Sequence, residues 1–247
     1  MNAQSKVAIV TGSSRGIGAA IARRLAADGI AVIINYAGRA SAATKVVQEI
    51  ETAGGRATAV QADVSNPSDV TRLFNEAQKA FGGIDILVNN AGVMQPGLVQ
   101  LADTDDALFE RIVNINLKGT FNTLRQAAKD LREGGRIVNF SSSVVGLSQP
   151  GYSVYAASKS AVETMTNIFA KELRGRGITV NAVAPGPTAT ELFFEGKSEE
   201  QIEKASKSAP LERLGRPEDI ADVVAFLIGP QGGWVNGQTL RANGGMI

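Results

Sequence analysis

The chain has 247 residues, 44% of them hydrophobic, a formal net charge of +1, and neither cysteine nor histidine. That length can bury a substantial core, and near-neutral charge gives no electrostatic case for nucleic acid or an anionic membrane as partner. Without cysteine there are no disulfides, thiolate nucleophiles or iron–sulfur clusters, and without histidine no Ser-His-Asp mechanism and no His-containing zinc motif, so no metal site is expected.

In chain order, short runs rich in valine and isoleucine alternate with stretches of helical apolar periodicity. Strands are predicted at 6–11, 31–36, 56–63, 85–91, 135–141, 178–185 and 238–242, and helices at about 17–28, 40–53, 68–80, 104–131, 154–174 and 217–228. Asn66-Pro67 and Arg216-Pro217 read as helix starts, with proline suited to the first turn. Gly54-Gly55, Gly82-Gly83 and Gly134-Gly135 fall where a helix must stop before the next strand. Strands apolar on both faces and separated by helices predict an α/β domain over 1–247, its mainly parallel sheet covered by helices on each side. The segment 188–213 breaks the rhythm, and two readings stand: a lid over the strands' C-terminal edge, or an ordinary surface hairpin. The first residues contain no signal-peptide core, and no stretch approaches the roughly 18–20 apolar residues of a membrane span, so a soluble, cytoplasmic protein is expected.

Residues 11–18, "TGSSRGIG", lie between the first strand and first helix. Gly12, Gly16 and Gly18 permit a tight turn and close backbone approach, while Ser14, Arg15 and Ile17 complete a loop ending at a helix N-terminus, a site for a dinucleotide diphosphate. The second strand ends in Asn35 and Tyr36 with no acid to bind a ribose 2′-hydroxyl. Arg15 and Arg39 nearby match phosphate oxygens, favouring NADP(H) over NAD(H), although either is also readable as a solvated surface charge. Asp63 and Val64, after the third strand, border the expected adenine pocket, and a helix-capping aspartate is an equally good reading of Asp63. Asn89, Asn90, Ala91 and Gly92 end the fourth strand at the same cleft, where the amides either hold the backbone open or satisfy turn hydrogen bonds.

Tyr155 and Lys159 lie four apart, on one face of a helix. A carbonyl that accepts hydride becomes an alkoxide and needs an acid. A tyrosine is normally too weak an acid near neutrality, and an ammonium one helical turn away, sharing the site with the positive ring of an oxidised nicotinamide, is expected to lower its pKa. Such pairs are common on helix surfaces. What lifts this one is the glycine loop, the absence of histidine, and three serines, Ser141, Ser142 and Ser143, ending the fifth strand.

Together "TGSSRGIG", "NNAG", "VNINLKGTF", "SSSVVG", "YAASK" and "VAPGPTAT" resemble the short-chain dehydrogenase/reductase family, in order from residue 6 to about 245. The resemblance implies a single-domain Rossmann fold with a doubly wound sheet of seven parallel strands, a nicotinamide cofactor and a homotetramer. It implies Tyr155 as acid/base, Lys159 as the group that lowers its pKa and bonds the nicotinamide ribose, and Asn116 as the residue whose backbone holds a water in a proton relay. Aligned through "SVVG", Ser143 is the substrate-orienting serine, one residue closer to Tyr155 than is common; Ser142 would restore the usual spacing. Asn90 and Gly92 would line the cofactor cleft, and Pro185, Gly186 and Thr188 flank the nicotinamide. "LGRPEDIA" and "WVNGQTLRANGG" are similar to the bacterial branch that includes 3-oxoacyl-[acyl-carrier-protein] reductases, for which Arg125, Lys129 and Arg132 are a candidate carrier-binding patch, and equally readable as a solvated face or part of a subunit interface. The expected substrate is a small-molecule ketone or aldehyde in an apolar pocket of Val93, Met94, Val145, Leu147, Tyr152, Leu192 and Phe193. An NADPH-dependent carbonyl reductase is the first reading. An NADP-dependent alcohol or sugar dehydrogenase and a non-catalytic NADP-binding sensor are its rivals.

Overall fold

Branched side chains favour extended backbone, and the valine- and isoleucine-rich runs form the strands of the computed structural model, which describes residues 5–247. The first four residues, included in the reading of the N-terminus and of the domain's extent, lie outside that description. In order come β1 (Val7–Val10), α1 (Gly16–Ala27), β2 (Ala31–Tyr36), α2 (Ala40–Thr52), β3 (Ala57–Gln61), α3 (Pro67–Phe81) and β4 (Ile86–Asn89). There follow α4 (Asp106–Ile112), α5 (Gly119–Asp130), β5 (Arg136–Phe140), α6 (Val144–Leu147), α7 (Ser153–Glu172) and β6 (Thr179–Pro185). The chain closes with α8 (Glu191–Phe194), α9 (Glu199–Lys207), α10 (Pro217–Ile228) and β7 (Thr239–Ala242).

The seven strands form one sheet in the order β3-β2-β1-β4-β5-β6-β7, and every neighbouring pair is parallel. Successive strand residues point to opposite faces. Ala8, Val10, Val32 and Ile34 therefore meet α1, α2 and α10 on one side, while Ile9, Ile33, Leu87 and Ile137 meet α3, α5 and α7 on the other. Each fully buried large apolar side chain, such as Ile9, Leu73 or Phe74, stabilises by roughly 1.5–3 kcal/mol. The chain reverses its direction of travel across the sheet between β1 and β4, which opens a crevice beyond their C-terminal ends.

Local signals work as expected at several ends. The Asn66 side chain accepts a hydrogen bond from the Ser68 N–H (3.0 Å) to cap α3, and Gly82 ends it with φ +80°. The predicted helix at 104–131 is instead three pieces, because a π-helical turn, Val113–Lys118, separates α4 from α5. Short α6 and the 3₁₀ turn Leu101–Asp103 had no periodic run to announce them. Segment 188–213 forms α8 and α9, the latter opened by a Ser198–Gln201 capping box. Among the described residues no helix is long and apolar enough to cross a membrane.

Candidate active site

Beyond β1 the glycine loop is held open by amides from two other strands. The Gly12 N–H donates to Asn35 Oδ1 (3.1 Å), while Asn35 Nδ2 donates to the Ala62 carbonyl (3.0 Å). Asn90 Nδ2 donates to the carbonyls of Thr11 (2.9 Å) and Gly12 (3.1 Å), and Thr11 Oγ1 accepts from the Ala91 N–H (3.0 Å). A Cβ at Gly12 would lie 2.9 Å from Ala91 Cα, and one at Gly18 2.5 Å from Asn90 Nδ2 and 2.7 Å from the Gly12 carbonyl. Gly12 and Gly16 also adopt positive φ, +61° and +54°. Helix α1 starts here with no side-chain cap and no acid in its first turn, leaving its N–H groups to a ligand. These N–H groups face a cavity of about 430 Å³, a cradle that fits a diphosphate.

The rest of this cavity is lined by Ser14, Ile17, Tyr36, Asp63 and Val64, as expected. Asp63 Oδ1 accepts from the N–H (2.9 Å) and hydroxyl (2.7 Å) of Ser65, so it shapes a turn, and the capping of α3 falls to Asn66. Asn35 lines the cavity too, yet its amide is engaged with backbone, which makes it a support for the loop. Arg15 and Arg39 come together on one carboxylate: both donate to Glu191 Oε2, at 2.7 and 3.0 Å. Hydrogen bonds from Arg15 and then Arg39 hold the Glu191 carboxyl below its ordinary pKa.

Helix α7 presents Tyr155 and Lys159 on one face, with Nζ 5.8 Å from the phenol ring centroid. A buried amide relay ties the helix to the sheet. Asn89 Nδ2 donates to Asn139 Oδ1, Asn139 Nδ2 donates to Thr166 Oγ1, and that hydroxyl donates to the Val162 carbonyl, each at 2.8 Å. Lys159, only 5% exposed, donates to the Phe140 carbonyl at the end of β5 (2.9 Å). Asn116, in the π turn, clamps Val93 through both backbone groups (2.8 and 2.9 Å) and reaches Ser158 on α7 (3.2 Å). Its own carbonyl accepts from Thr120 Oγ1 (2.8 Å). Gly92 sits where these meet: a Cβ there would be 3.3 Å from Asn116 Oδ1 and 3.4 Å from Lys159 Nζ.

Tyr155 and Lys159 open onto a second, largely apolar cavity of about 210 Å³ that shares Asn90, Gly92 and Val93 with the first. The family model described as "Enoyl-(Acyl carrier protein) reductase" matches residues 12–247. A "Short-chain type dehydrogenase/reductase" of Picea abies is 50% identical over 98% of this chain and 92% of its own. The chain belongs to the short-chain dehydrogenase/reductase family. Another relative, a "NADPH-dependent aldehyde reductase-like protein, chloroplastic" of Arabidopsis thaliana, is 47% identical over 98% of this chain and 94% of its own. A short chain dehydrogenase from Burkholderia cenocepacia J2315, solved in complex with NADP, superposes with TM-score 0.92 at 42% identity, covering 98% of both chains.

Around the second cavity of this dehydrogenase/reductase lie Met94, Leu147, Tyr152, Leu192 and Phe193, together with Pro185, Gly186 and Thr188. Expectations meet the structure at four points. Ser142 and Ser143 both line the cavity beside Tyr155. Ser143 starts α6 with its own hydroxyl turned away, donating to the Ala184 carbonyl (3.2 Å) and accepting from Asn243 Nδ2 (3.0 Å). For the same reason Val144, and not Val145, faces the cavity. In the protein alone, burial pushes the Tyr155 phenol up to about 12, against a smaller lowering by Ser142, and brings Lys159 down to about 8, while the expected lowering concerns the site that also holds the positive nicotinamide ring. The basic trio does not border the cleft, since Arg132 bonds Asp85 (3.3 Å), which precedes β4 at the opposite edge of the sheet. Sequence reasoning missed Val144, Glu191 and Lys197. The first needed the short helix, and the other two needed the folded path of 188–213.

Proposed function

We propose that the protein is an NADPH-dependent carbonyl reductase acting on a ketone or aldehyde, and that Tyr155, Ser142, Lys159 and Asn116 carry the proton chemistry. One observation carries this reading: Tyr155 and Lys159 line an apolar cavity continuous, at Asn90, Gly92 and Val93, with a helix N-terminal cradle shaped for a diphosphate. NADP(H) is the cofactor. The NADPH- and NADP-named relatives support it, as does a pair of arginines that already gathers on one anionic group. When bound, the cofactor supplies the hydride.

The chain's own residues do the rest. The loop N–H groups of Gly12–Gly18 hold the diphosphate, and Arg15 and Arg39 hold the 2′-phosphate. Pro185, Gly186 and Thr188 wall the nicotinamide end. Ser142 donates to the substrate oxygen and sets it against the phenol, and Tyr155 delivers its proton there as negative charge develops. The phenol is protonated near neutrality, and the charge of Lys159, with that of the oxidised nicotinamide when bound, would favour release of its proton as the alkoxide forms. Lys159 resupplies charge and proton, while Asn116 fixes the Val93 strand end and α7 relative to one another. The segment 188–213 serves as a lid, because Leu192 and Phe193 on α8 wall the substrate cavity. The apolar wall supports a hydrophobic aldehyde or ketone over a polyol. A carrier-protein thioester has less support, given where Arg132 lies. Exposed Phe109, Phe121, Ile168 and Trp234 support assembly into a homotetramer, which light scattering would register as four times 25.8 kDa.

The test is NADPH oxidation across aryl ketones, aldehydes, α-keto esters and acetoacetyl thioesters, with wild type and Tyr155→Phe. The variant keeps the ring and loses the proton, so turnover should fall by roughly 10²–10⁴-fold while NADPH still binds. Near-normal turnover would end the assignment, and a lower Michaelis constant for NADH than for NADPH would end the cofactor choice.

A further inference from the structure

Lys197 follows α8 in the excursion between β6 and α10 and forms part of the substrate cavity wall. Its ammonium has essentially no exposed surface and no hydrogen-bond partner. No ion pair reaches it among the described residues. Its nearest compensation is the face of Phe193, whose ring centroid lies 4.8 Å from Nζ. A cation over an aromatic ring recovers only part of what an ammonium loses on leaving water. The group is thus under-compensated, and burial draws its pKa below the usual lysine value.

Two groups on the cavity wall carry chemistry of different kinds. One is Tyr155 with Ser142, which the proposed reaction assigns to the carbonyl oxygen. The other is Lys197, and between them the wall is mostly apolar: Met94, Val144, Leu147, Leu192 and Phe193. A buried charge without a partner is satisfied by an opposite charge brought in by the ligand. We infer that Lys197 is a specificity-determining residue that binds a carboxylate on the substrate, so that the preferred substrates are oxo-carboxylates with an apolar spacer between carbonyl and carboxylate. This inference rests on the carbonyl-reductase reading for the orientation of the substrate but not for the anion contact itself.

The experiment compares 4-carboxybenzaldehyde with its methyl ester, and separately titrates terephthalate, which binds without reacting, in the presence of NADP⁺. Wild type should prefer the acid over the ester in kcat/KM by at least tenfold, with the difference mainly in KM. That preference should vanish in Lys197→Met and largely persist in Lys197→Arg. By calorimetry, terephthalate should bind Lys197→Met at least tenfold more weakly than wild type. An acid-to-ester ratio equal in wild type and Lys197→Met, or terephthalate binding that is absent or unchanged by the substitution, overturns the inference. If neither aldehyde is reduced while terephthalate binding still depends on Lys197, the anion site stands and the reductase reading falls.

Discussion

Replacing Lys159 with methionine separates the cost of burying an ammonium from its use. The fold takes this lysine from an ordinary pKa of 10.5 to about 8 by desolvation. At about 1.4 kcal/mol per pH unit, that gap corresponds to about 3 kcal/mol by which the charged form is disfavoured in the native state. Below pH 8 the lysine is charged in both states and the native protein bears the whole cost. Between pH 8 and 10.5 the native lysine has released its proton and the unfolded one has not. The unfolded state then binds more protons, so stability rises with pH across that window. Lys159→Met has no such group. Its loss of the hydrogen bond to the Phe140 carbonyl, about 1–3 kcal/mol, offsets much of the relief at pH 7, where the two proteins should unfold at similar urea concentrations. From pH 7.5 to 10 wild type should gain on the variant by about 2–3 kcal/mol. Tyr155, at about 12, does not titrate in that range. Far-UV circular dichroism is the appropriate probe, since the lone tryptophan, Trp234, is 99% exposed. Parallel pH profiles for the two proteins would refute the reasoning, and so would a wild type that loses ground as pH rises.

Gly18→Ala puts a methyl against Asn90 Nδ2 and the Gly12 carbonyl, so NADPH affinity measured by fluorescence titration should weaken by roughly tenfold or more while Tyr155 and Lys159 stay in place. Asn139→Leu strands the buried partners Asn89 and Thr166 and should cost about 2 kcal/mol in urea unfolding; an unchanged midpoint would show that the relay does not hold α7. Ser142→Ala should lower kcat on a good aldehyde by tenfold or more, with a smaller effect from Ser143→Ala, and the reverse order would favour Ser143, the serine aligned through "SVVG".

The inner strands were legible because they are buried on both faces, which writes apolar runs into β1, β2 and β4. The glycine loop and the Tyr155/Lys159 face were legible because their requirements are local: a turn that rejects Cβ, and two residues one helical turn apart. What escaped depends on contacts remote in sequence. The π turn is anchored by Asn116 reaching Val93 and Ser158, and nothing in the periodicity of 104–131 encodes that. Val145 was one residue off, because α6 turns the chain immediately after β5 and brings Val144 to the cavity instead. The depth at which Lys159 is enclosed was not legible either, since it depends on the packing of α7 against the end of β5. Glu191 lies 176 residues from Arg15, too far for any motif to join them.

That single carboxylate ties the two chambers together. In the proposed complex a 2′-phosphate would compete with Glu191 for both guanidinium groups, and Glu191 opens the short helix whose next two residues, Leu192 and Phe193, wall the neighbouring chamber.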